Sequence, residues 1–393
     1  MNEKITVGLV LYTVPKYSET FFRNKIMGLQ ENGFDVVLFV LYHEKNNWDI
    51  PCDVIYAKNF GSGFFKTLVN TLGEFSKTIF LNPKRSYRLY QLDKSDGISL
   101  KSRFKHLVLS QFLFQKHVDW LHFGFGMLAT ERENVAEAMQ ANMAVSFRGF
   151  DLYLSPLVHK GCYDILFQKA VKYHVLSEEM KNTLLDHRIK QDQIEVITPA
   201  IDVNFFKSDE KRSQTKRLEL VTVSRLHWKK GLEYTIEALS YLKEAGVDFH
   251  YTIIGTGIEK ERLVFAAHQL GVLECVTFTG KLSHEAVKRH LSQADMYLQY
   301  SIQEGFCNAV LEAQAMGLLC LVSNAEGLSE NVIHEETGWV IEKRQPALLA
   351  AKIIEVQQMT EEEKQQIRTR AMQRVNQEFN LDQQHQKFVN FYR

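Results

Sequence analysis

The sequence predicts an α/β protein of two domains, each a parallel sheet doubly wound with helices. Short apolar runs alternate with amphipathic segments along most of the chain, which is typical of stacked βα units. This alternation stops in the polar stretch 199–216 and restarts at Leu218, so that stretch is the predicted linker. The length of 393 residues fits two domains, at about 150 residues per domain or somewhat more.

The amino-acid composition excludes several classes of protein. Hydrophobic residues make up 45% and charged residues 24% of the chain, which excludes disorder and collagen-like repeats. Lys plus Arg and Asp plus Glu both number 47, so the molecule has no net charge to attract nucleic acid. The five cysteines are far apart without a C-x-x-C pair, which favours reduced thiols in the cytoplasm. No signal pattern or bilayer-length apolar run is present, so we expect an intracellular protein.

The first half of the chain contains six predicted strands. A helix over Glu19–Gln30, capped by Ser18, separates the first two and stops at Gly33. Residues 58–118 interrupt the alternation. The strands are Ile5–Leu11, Phe34–Leu41, Trp120–Phe123, Ala144–Phe147, Tyr173–Leu176 and Ile194–Ile197.

The second half forms a complete doubly wound domain by the same criteria. Helices are predicted over 232–244, after Ser283, and over Asn308–Met316. Its predicted strands are Leu218–Val223, Phe249–Ile254, Val276–Phe278, Met296–Gln299, Leu318–Val322 and Gly338–Ile341.

Ligands of open α/β sheets bind beyond the carboxyl ends of the strands, so those loops hold the candidate site. The loop 224–231 carries three cations, Arg225, Lys229 and Lys230, and ends in Gly231 at a helix N-terminus. Free N–H groups and the helix dipole already favour an anion there, and Arg and Lys are the side chains that bind phosphate. A solvated basic turn remains the alternative.

The segment 304–312 carries two acids eight positions apart. Glu312 lies in a helix that is apolar nearly all round, although burying an unpartnered carboxylate costs several kcal/mol. The paired hydroxyls of a ligand would satisfy it, and so would a structural Arg or Lys. Glu304 lies in the loop before that helix, with the backbone N–H groups of 305–308 between the two acids.

Other signals are weaker. Glycine turns such as 255–257 and 279–281 follow strands in any βα domain. The chain contains no Asp-x-Asp, H-E-x-x-H or Walker motif, so we expect phosphate to be bound by side-chain cations without a metal.

Taken together, these motifs resemble family 4 retaining glycosyltransferases of the GT-B fold, in which two Rossmann-like domains face each other across a cleft. The second half resembles their nucleotide-binding domain, and the first half resembles the polysaccharide-building branch. The matching pieces are Ser224-Arg225 with Lys230-Gly231, Ile254–Gly257, Phe278–Gly280, Glu304 with Glu312, Pro15–Phe21, Leu121–Gly124 and Ser146–Asp151.

The resemblance implies an acceptor domain over 1–203 and a nucleotide-sugar domain over 204–374, with a C-terminal helix in 375–393 crossing back to the first. It implies that Arg225 and Lys230 hold the donor diphosphate. Glu304 would then contact the transferred sugar, and Glu312 the ribose. The remaining donor-binding residues would be Gly305, Phe306, Cys307, Asn308, Gly255, Gly257, Lys281 and Leu282.

Arg148 departs from the family pattern, which often has a sugar-contacting His at this position. An arginine can still bind sugar or phosphate, but it cannot act as a base near neutral pH. His122, in a neighbouring loop of the predicted sheet, is the other imidazole candidate, and a structural role for it is equally open.

The implied activity is metal-independent transfer, with retention, of a sugar from a nucleoside diphosphate sugar to a glycan or lipid-linked acceptor in cell-surface polysaccharide biosynthesis. UDP is the favoured nucleotide, with GDP open, and no separate cofactor is implied. The alternatives are a sugar-nucleotide epimerase or phosphorylase, a sugar-binding protein without chemistry, and a degenerate partner subunit.

Residues 58–118 hold eleven Lys or Arg against three acids, a net charge of +8, with aromatic residues interleaved. Basic and aromatic residues on helical segments suit an anionic membrane surface. We therefore expect peripheral contact with the inner face of the cytoplasmic membrane. A solvated basic face is the alternative, and the segment lacks a nucleic-acid recognition motif.

Overall fold

The computed structural model describes residues 4–15, 20–43, 51–60, 64–207 and 217–393, apart from the side chains of 64–68 and 79. The predicted Ser18 cap, the motif residues 16–19 and the linker residues 208–216 lie outside this part of the chain. The contacts divide the chain into two compact units, 1–197 with 385–393 and 198–384. The sequence predicts the main boundary at 203/204, six residues further along the chain than the 197/198 division.

Unit 1 is a parallel seven-stranded sheet in the order β3-β2-β1-β4-β5-β6-β7. Its strands are β1 (Thr6–Leu11), β2 (Asp35–Val40), β3 (Asp53–Tyr56), β4 (Trp120–Phe123), β5 (Asn142–Ser146), β6 (Val171–Val175) and β7 (Ile194–Val196). Its helices are α1 (Thr20–Glu31), α2 (Phe64–Phe80), α3 (Pro83–Ser95), α4 (Leu100–Ser110), α5 (Gly126–Ala129), α6 (Val135–Met139), α7 (Phe150–Tyr153), α8 (Ser155–Val158) and α9 (Glu178–Asp186).

Unit 2 is a parallel six-stranded sheet in the order β10-β9-β8-β11-β12-β13. Its strands are β8 (Leu218–Val223), β9 (Phe249–Ile254), β10 (Val276–Gly280), β11 (Met296–Gln299), β12 (Leu319–Ser323) and β13 (Trp339–Ile341). Its helices are α10 (Leu232–Glu244), α11 (Lys260–Gln269), α12 (His284–Gln293), α13 (Asn308–Ala315), α14 (Pro346–Gln358) and α15 (Glu361–Glu378), and α16 (Leu381–Tyr392) ends the chain.

The predicted strands are present, and most of their ends match to within a residue or two. Agreement is closest in the second half, because strands such as Met296–Gln299 are continuous buried runs that end at polar loops. Strand β3 was missed because its four residues, Asp53–Tyr56, are only partly buried and form the sheet edge. The interruption at 58–118 contains helices α2, α3 and α4, which lie between β3 and β4 in the chain.

The end of α16 packs into unit 1. The Trp120 indole N–H donates to the Tyr392 carbonyl at 3.0 Å, and the Lys172 ammonium donates to the Phe391 carbonyl at 2.7 Å. Phe388, Val389, Phe391 and Tyr392 are at most 4% exposed and join the core formed by β1, β2 and α1. Residues 385–393 are therefore part of unit 1.

A buried polar chain runs beneath this helix. His174 Nε2 donates to the Ile197 carbonyl at 3.0 Å, which leaves Nδ1 to accept from the Ser146 hydroxyl at 2.7 Å. Ser146 in turn accepts from His122 Nε2 at 2.7 Å, and Lys25 lies 3.2 Å from His122 Nδ1. Burial, with the positive charge of Lys25 beside them, holds the pKa of both imidazoles well below the usual range.

The buried histidines of this hydrogen-bonded network predict that the protein loses stability at acid pH. In the unfolded state the two histidines bind protons below about pH 6.5, whereas His122 and His174 stay neutral in the folded state. The contribution of the two histidines to stability is therefore constant above that pH and falls below it, by up to about 1.4 kcal/mol per histidine per pH unit. Urea unfolding at pH 7.5 and 5.5 measures this. His174→Phe should flatten the slope, and a change at the exposed His159, such as His159→Gln, should not; equal slopes in the three proteins would contradict the account.

Candidate active site

The strand order of unit 2 reverses between β8 and β11, which are adjacent in the sheet but far apart in the chain. The connections that follow these two strands leave the sheet in opposite directions and open a crevice at its carboxyl edge, where doubly wound folds bind their ligands. The loop after β8 is 224–231 and the loop after β11 is 300–307. Both predicted motifs therefore lie at the switch point.

Close backbone approaches hold the loop after β8 in place. The Ser224 N–H donates to the Ile254 carbonyl at 2.9 Å, and the Leu226 N–H donates to the Thr256 carbonyl at 3.0 Å. A Cβ at Gly257 would lie 2.1 Å from the Leu226 carbonyl oxygen, so only glycine fits there. The predicted binding residue Gly257, like Gly255 beside it, thus shapes the loop that carries Arg225.

The two loops at the switch point are joined directly. The Ile302 N–H donates to the Lys229 carbonyl at 2.7 Å. Gly231 has a φ of +60° and ends the turn before α10, and a Cβ there would lie 2.1 Å from the Tyr300 carbonyl oxygen. Because of this packing, Lys230 on one loop forms an ion pair with Glu304 on the other.

The Lys230–Glu304 pair is largely buried, with side chains 11% and 12% exposed. Burial alone would lower the pKa of Lys230, but the attraction of the Glu304 carboxylate outweighs it and raises that pKa. Lys230 is therefore a fixed ammonium at physiological pH. A phosphate oxygen arriving at this position would compete with Glu304 for it.

Arg225 differs from Lys230 in being exposed, and its guanidinium has no hydrogen-bond or ion-pair partner in the described part of the chain. The positive charge of this loop also affects His227. Partial burial and the cations Lys229 and Arg225 lower the pKa of its imidazole. The loop after β8 is thus a cationic surface with one unpaired planar donor group, which matches the geometry of a diphosphate.

Residues beyond the predicted set hold the 304–307 loop. The Glu304 N–H donates to Glu326 at 3.1 Å, and the other Glu326 oxygen pairs with Lys343 at 3.1 Å. Asn331 and Cys307 exchange two hydrogen bonds, each 3.0 Å long. Glu326 and Asn331 follow β12, the next strand in the sheet, so the rule that identified the other loops could have identified them too.

Glu312, on α13, is partly exposed and has no ion-pair or hydrogen-bond partner among the described residues. Burial raises the pKa of its carboxyl group to about 7. The alternative that an internal Arg or Lys neutralises Glu312 therefore finds no support in the structure. An acid of this kind gains most from a ligand that donates hydrogen bonds to it.

Two more polar groups in these loops are unsatisfied. The Ser224 hydroxyl and both polar atoms of the Gln303 amide are buried without a partner. Native proteins leave few buried polar atoms without a hydrogen-bond partner. A polar ligand bound at the switch point would provide partners for these atoms. No motif in the sequence pointed to Gln303.

The other predicted donor-binding residues lie at the same edge of the sheet. Lys281 and Leu282 follow β10 and precede Ser283, whose hydroxyl caps α12 by accepting from the Ala286 N–H at 3.2 Å. Gly305, Phe306, Cys307 and Asn308 lead into α13. Burial raises the pKa of the Cys307 thiol to about 12, so it is a neutral side chain and not a nucleophile.

The two predicted residues of unit 1 have different surroundings. The Arg148 guanidinium lies 3.5 Å from the centre of the Phe21 ring, and its backbone N–H donates to Asp151 at 2.8 Å. His122 is fully buried in the polar chain described above, so its imidazole has no exposed edge for a ligand. This placement favours the structural alternative for His122.

Within the described residues, no cluster of three or more His, Cys, Asp or Glu side chains could hold a metal ion. The same part of the chain has no helix both long and apolar enough to cross a membrane.

Comparison with known proteins agrees with this geometry. Residues 204–374 match the family described as glycosyl transferases group 1. This segment is a glycosyltransferase domain of that family. It covers both loops of the switch point, and the expected transferase class is thereby confirmed.

Relatives extend the similarity to most of the chain. The chain is 26% identical to the putative colanic acid biosynthesis glycosyltransferase WcaL of Escherichia coli, over 95% of its own length and 96% of the relative. It is 28% identical to the amylovoran biosynthesis glycosyltransferase AmsK of Erwinia amylovora, over 62% of each chain.

Solved structures confirm the GT-B fold of this glycosyltransferase. A glycosyltransferase from Rickettsia africae ESF-5 aligns with a TM-score of 0.72 at 19% identity, over 99% of this chain and 98% of that one. The Anabaena protein HepE, in a complex with UDP and glucose, aligns with a TM-score of 0.72 at 15% identity, over 98% of each chain.

Proposed function

We propose that the chain is a retaining, metal-independent glycosyltransferase that uses a nucleoside diphosphate sugar, with UDP as the nucleotide, in cell-surface polysaccharide biosynthesis. The observation that carries the proposal is the switch point of unit 2. The loop after β8 holds an unpaired Arg225 and the Lys230 cation, and an unpartnered Glu312 lies on α13, the helix that follows the other loop. The names of WcaL and AmsK support the polysaccharide context, and the UDP complex of HepE supports the nucleotide.

The proposed chemistry follows from the charges. The bond from the anomeric carbon to the diphosphate oxygen breaks, and its electron pair stays on the diphosphate. Arg225 and Lys230 meet this growing negative charge, so they stabilise the transition state more than the ground state. The acceptor hydroxyl attacks the anomeric carbon from the same face that the diphosphate leaves, and its proton passes to a phosphate oxygen of the donor. This route uses no catalytic base from the protein and gives retention.

Glu304 and Glu312 have separate roles in this proposal. The Glu304 carboxylate, next to Lys230, accepts hydrogen bonds from hydroxyls of the transferred sugar. The Glu312 carboxylate accepts from the ribose hydroxyls, which offsets the cost of its burial. The acceptor is a glycan or a lipid-linked sugar, bound by unit 1.

Turnover with a panel of nucleotide sugars tests the proposal. We expect release of free nucleoside diphosphate from a UDP-sugar only when a lipid-linked acceptor is added, with unchanged rate in EDTA. NMR of the product should show the anomeric configuration of the donor. Inversion, a requirement for a divalent metal, or epimerised donor without transfer would contradict it.

A further inference from the structure

Among the described side chains of helix α2, three large apolar ones are exposed, whereas a carboxylate and a threonine are buried. Val69, Leu72 and Phe80 are 67%, 58% and 79% exposed, whereas Glu74 and Thr78 are 5% and 6% exposed. None of the exposed residues that the structure describes on α2 is charged. Helices on a protein surface that face water have the opposite arrangement, with the apolar stripe inside.

The exposed side chains form one surface. Residues three, four or seven positions apart lie on the same face of a helix, which places Val69, Leu72 and Phe80 together, with the small Ser76 between them. We call Val69, Leu72 and Phe80 the apolar face. A water-exposed apolar cluster of this kind marks a binding surface.

The charged residues of 58–118 differ in exposure according to their sign. The acids of 58–118 all form internal contacts: Glu74 pairs with Lys77 at 2.7 Å, Asp93 with His106 at 2.9 Å and Asp96 with Lys169 at 2.6 Å. Four cations of α3 and α4 are exposed instead: Lys84, Arg88, Lys94 and Lys101. Within the described part of 58–118, the charge presented to solvent is therefore positive.

We propose that α2 docks on an anionic lipid bilayer, with the apolar face in the boundary between headgroups and acyl chains and the exposed cations of α3 and α4 over the headgroups. Apolar burial combined with attraction between lysines and anionic lipid is the usual basis of such binding. A second copy of the chain fits less well, because it would bring two surfaces of like charge together. This inference rests on the proposed function and deepens it, because docking would bring unit 1 to a lipid-linked acceptor. The donor chemistry proposed for unit 2 does not depend on the docking.

Co-sedimentation with vesicles tests the docking surface. The full chain should bind vesicles of phosphatidylcholine with phosphatidylglycerol at low salt and bind vesicles of phosphatidylcholine alone about tenfold less. Leu72→Ser with Phe80→Ser should reduce binding by about tenfold or more. Phe265→Ser is the matched control, because Phe265 on α11 is 60% exposed but lies in unit 2. It should bind like the wild type.

Charge reversal separates the two contributions. Lys84→Glu with Arg88→Glu should weaken binding and reduce its salt dependence. Binding that Leu72→Ser with Phe80→Ser leaves unchanged would overturn the insertion of the apolar face, and absence of wild-type binding at low salt would overturn the proposal. A dimer in vesicle-free solution that the same double variant dissociates would also overturn it, by assigning the apolar face to a second copy.

A conservative probe covers the case in which a double variant fails to fold. In Phe80→Trp, the new indole should shift its fluorescence to shorter wavelength when anionic vesicles are added, and an unchanged spectrum would overturn the proposal. UDP affinity, measured in parallel, should be the same in all these variants. If the wild type did not bind UDP, the proposed donor site would be wrong, but the proposed docking surface would be unaffected.

Discussion

Arg225→Ala is expected to lower the transfer rate by about a hundredfold, because removal of one fixed donor to a developing oxyanion costs about 3 kcal/mol. The side chain is exposed and unpaired, so its loss should leave the stability of the protein unchanged. Steady-state kinetics with a UDP-sugar would show the effect on kcat as well as on kcat/KM, because the diphosphate gains charge in the transition state.

Two further variants make this test specific. Arg225→Lys keeps the charge but loses the planar pair of donors, so it should recover only part of the rate. Arg289→Ala, which removes an exposed arginine on α12 of the same unit, should leave the rate unchanged. If Arg225→Ala had the turnover of the wild type, the proposal that the loop after β8 binds the diphosphate would be wrong.

Glu312→Gln is expected to stabilise the free protein and to weaken nucleotide binding. The pKa of Glu312 is about 7 in the folded chain and lower when unfolded, so the free energy of unfolding falls as the pH rises towards 7. The amide removes this cost, and we expect a gain of about 1–2 kcal/mol at pH 8, after allowing for partial exposure, that disappears towards pH 5. UDP affinity should fall by about tenfold or more, because a hydrogen bond to a charged group is lost.

Urea unfolding at both pH values and calorimetric titration with UDP measure the two effects. Glu261→Gln on α11 is the matched control, because this glutamate is exposed, and it should change neither quantity. If Glu312→Gln instead destabilised the free protein at pH 8, the carboxylate would have a structural partner in solution. Unchanged UDP affinity would separate Glu312 from the ribose.

Much of this site follows from local sequence signals. Strands such as Leu218–Val223 and Phe249–Ile254 are largely apolar runs, so their positions, and with them the carboxyl edge of the sheet, can be predicted. Glycines at 231, 255 and 257 mark turns where the backbone of another loop comes within van der Waals distance. The cationic loop and the two acids could then be assigned to one edge.

Pairing between distant residues could not be predicted in the same way. The Lys230–Glu304 ion pair and the contact of Glu326 with the Glu304 N–H depend on the approach of loops far apart in sequence. His122 was a site candidate because it lies near the end of a predicted strand, but its neighbours Ser146 and Lys25 come from other elements and enclose it. The sequence shows directly that 58–118 is basic and rich in aromatic residues. Which side chains of α2 face solvent could be seen only from the packing of the helix in the structure.

The central claim is that the loops after β8 and β11 enclose the diphosphate of a sugar donor. A crystal structure of the full chain with UDP tests it most directly. We predict the diphosphate within hydrogen-bond distance of Arg225 and Lys230, and the ribose hydroxyls on Glu312. A diphosphate bound elsewhere, with Lys230 still paired to Glu304 and Glu312 facing no ligand, would contradict the claim.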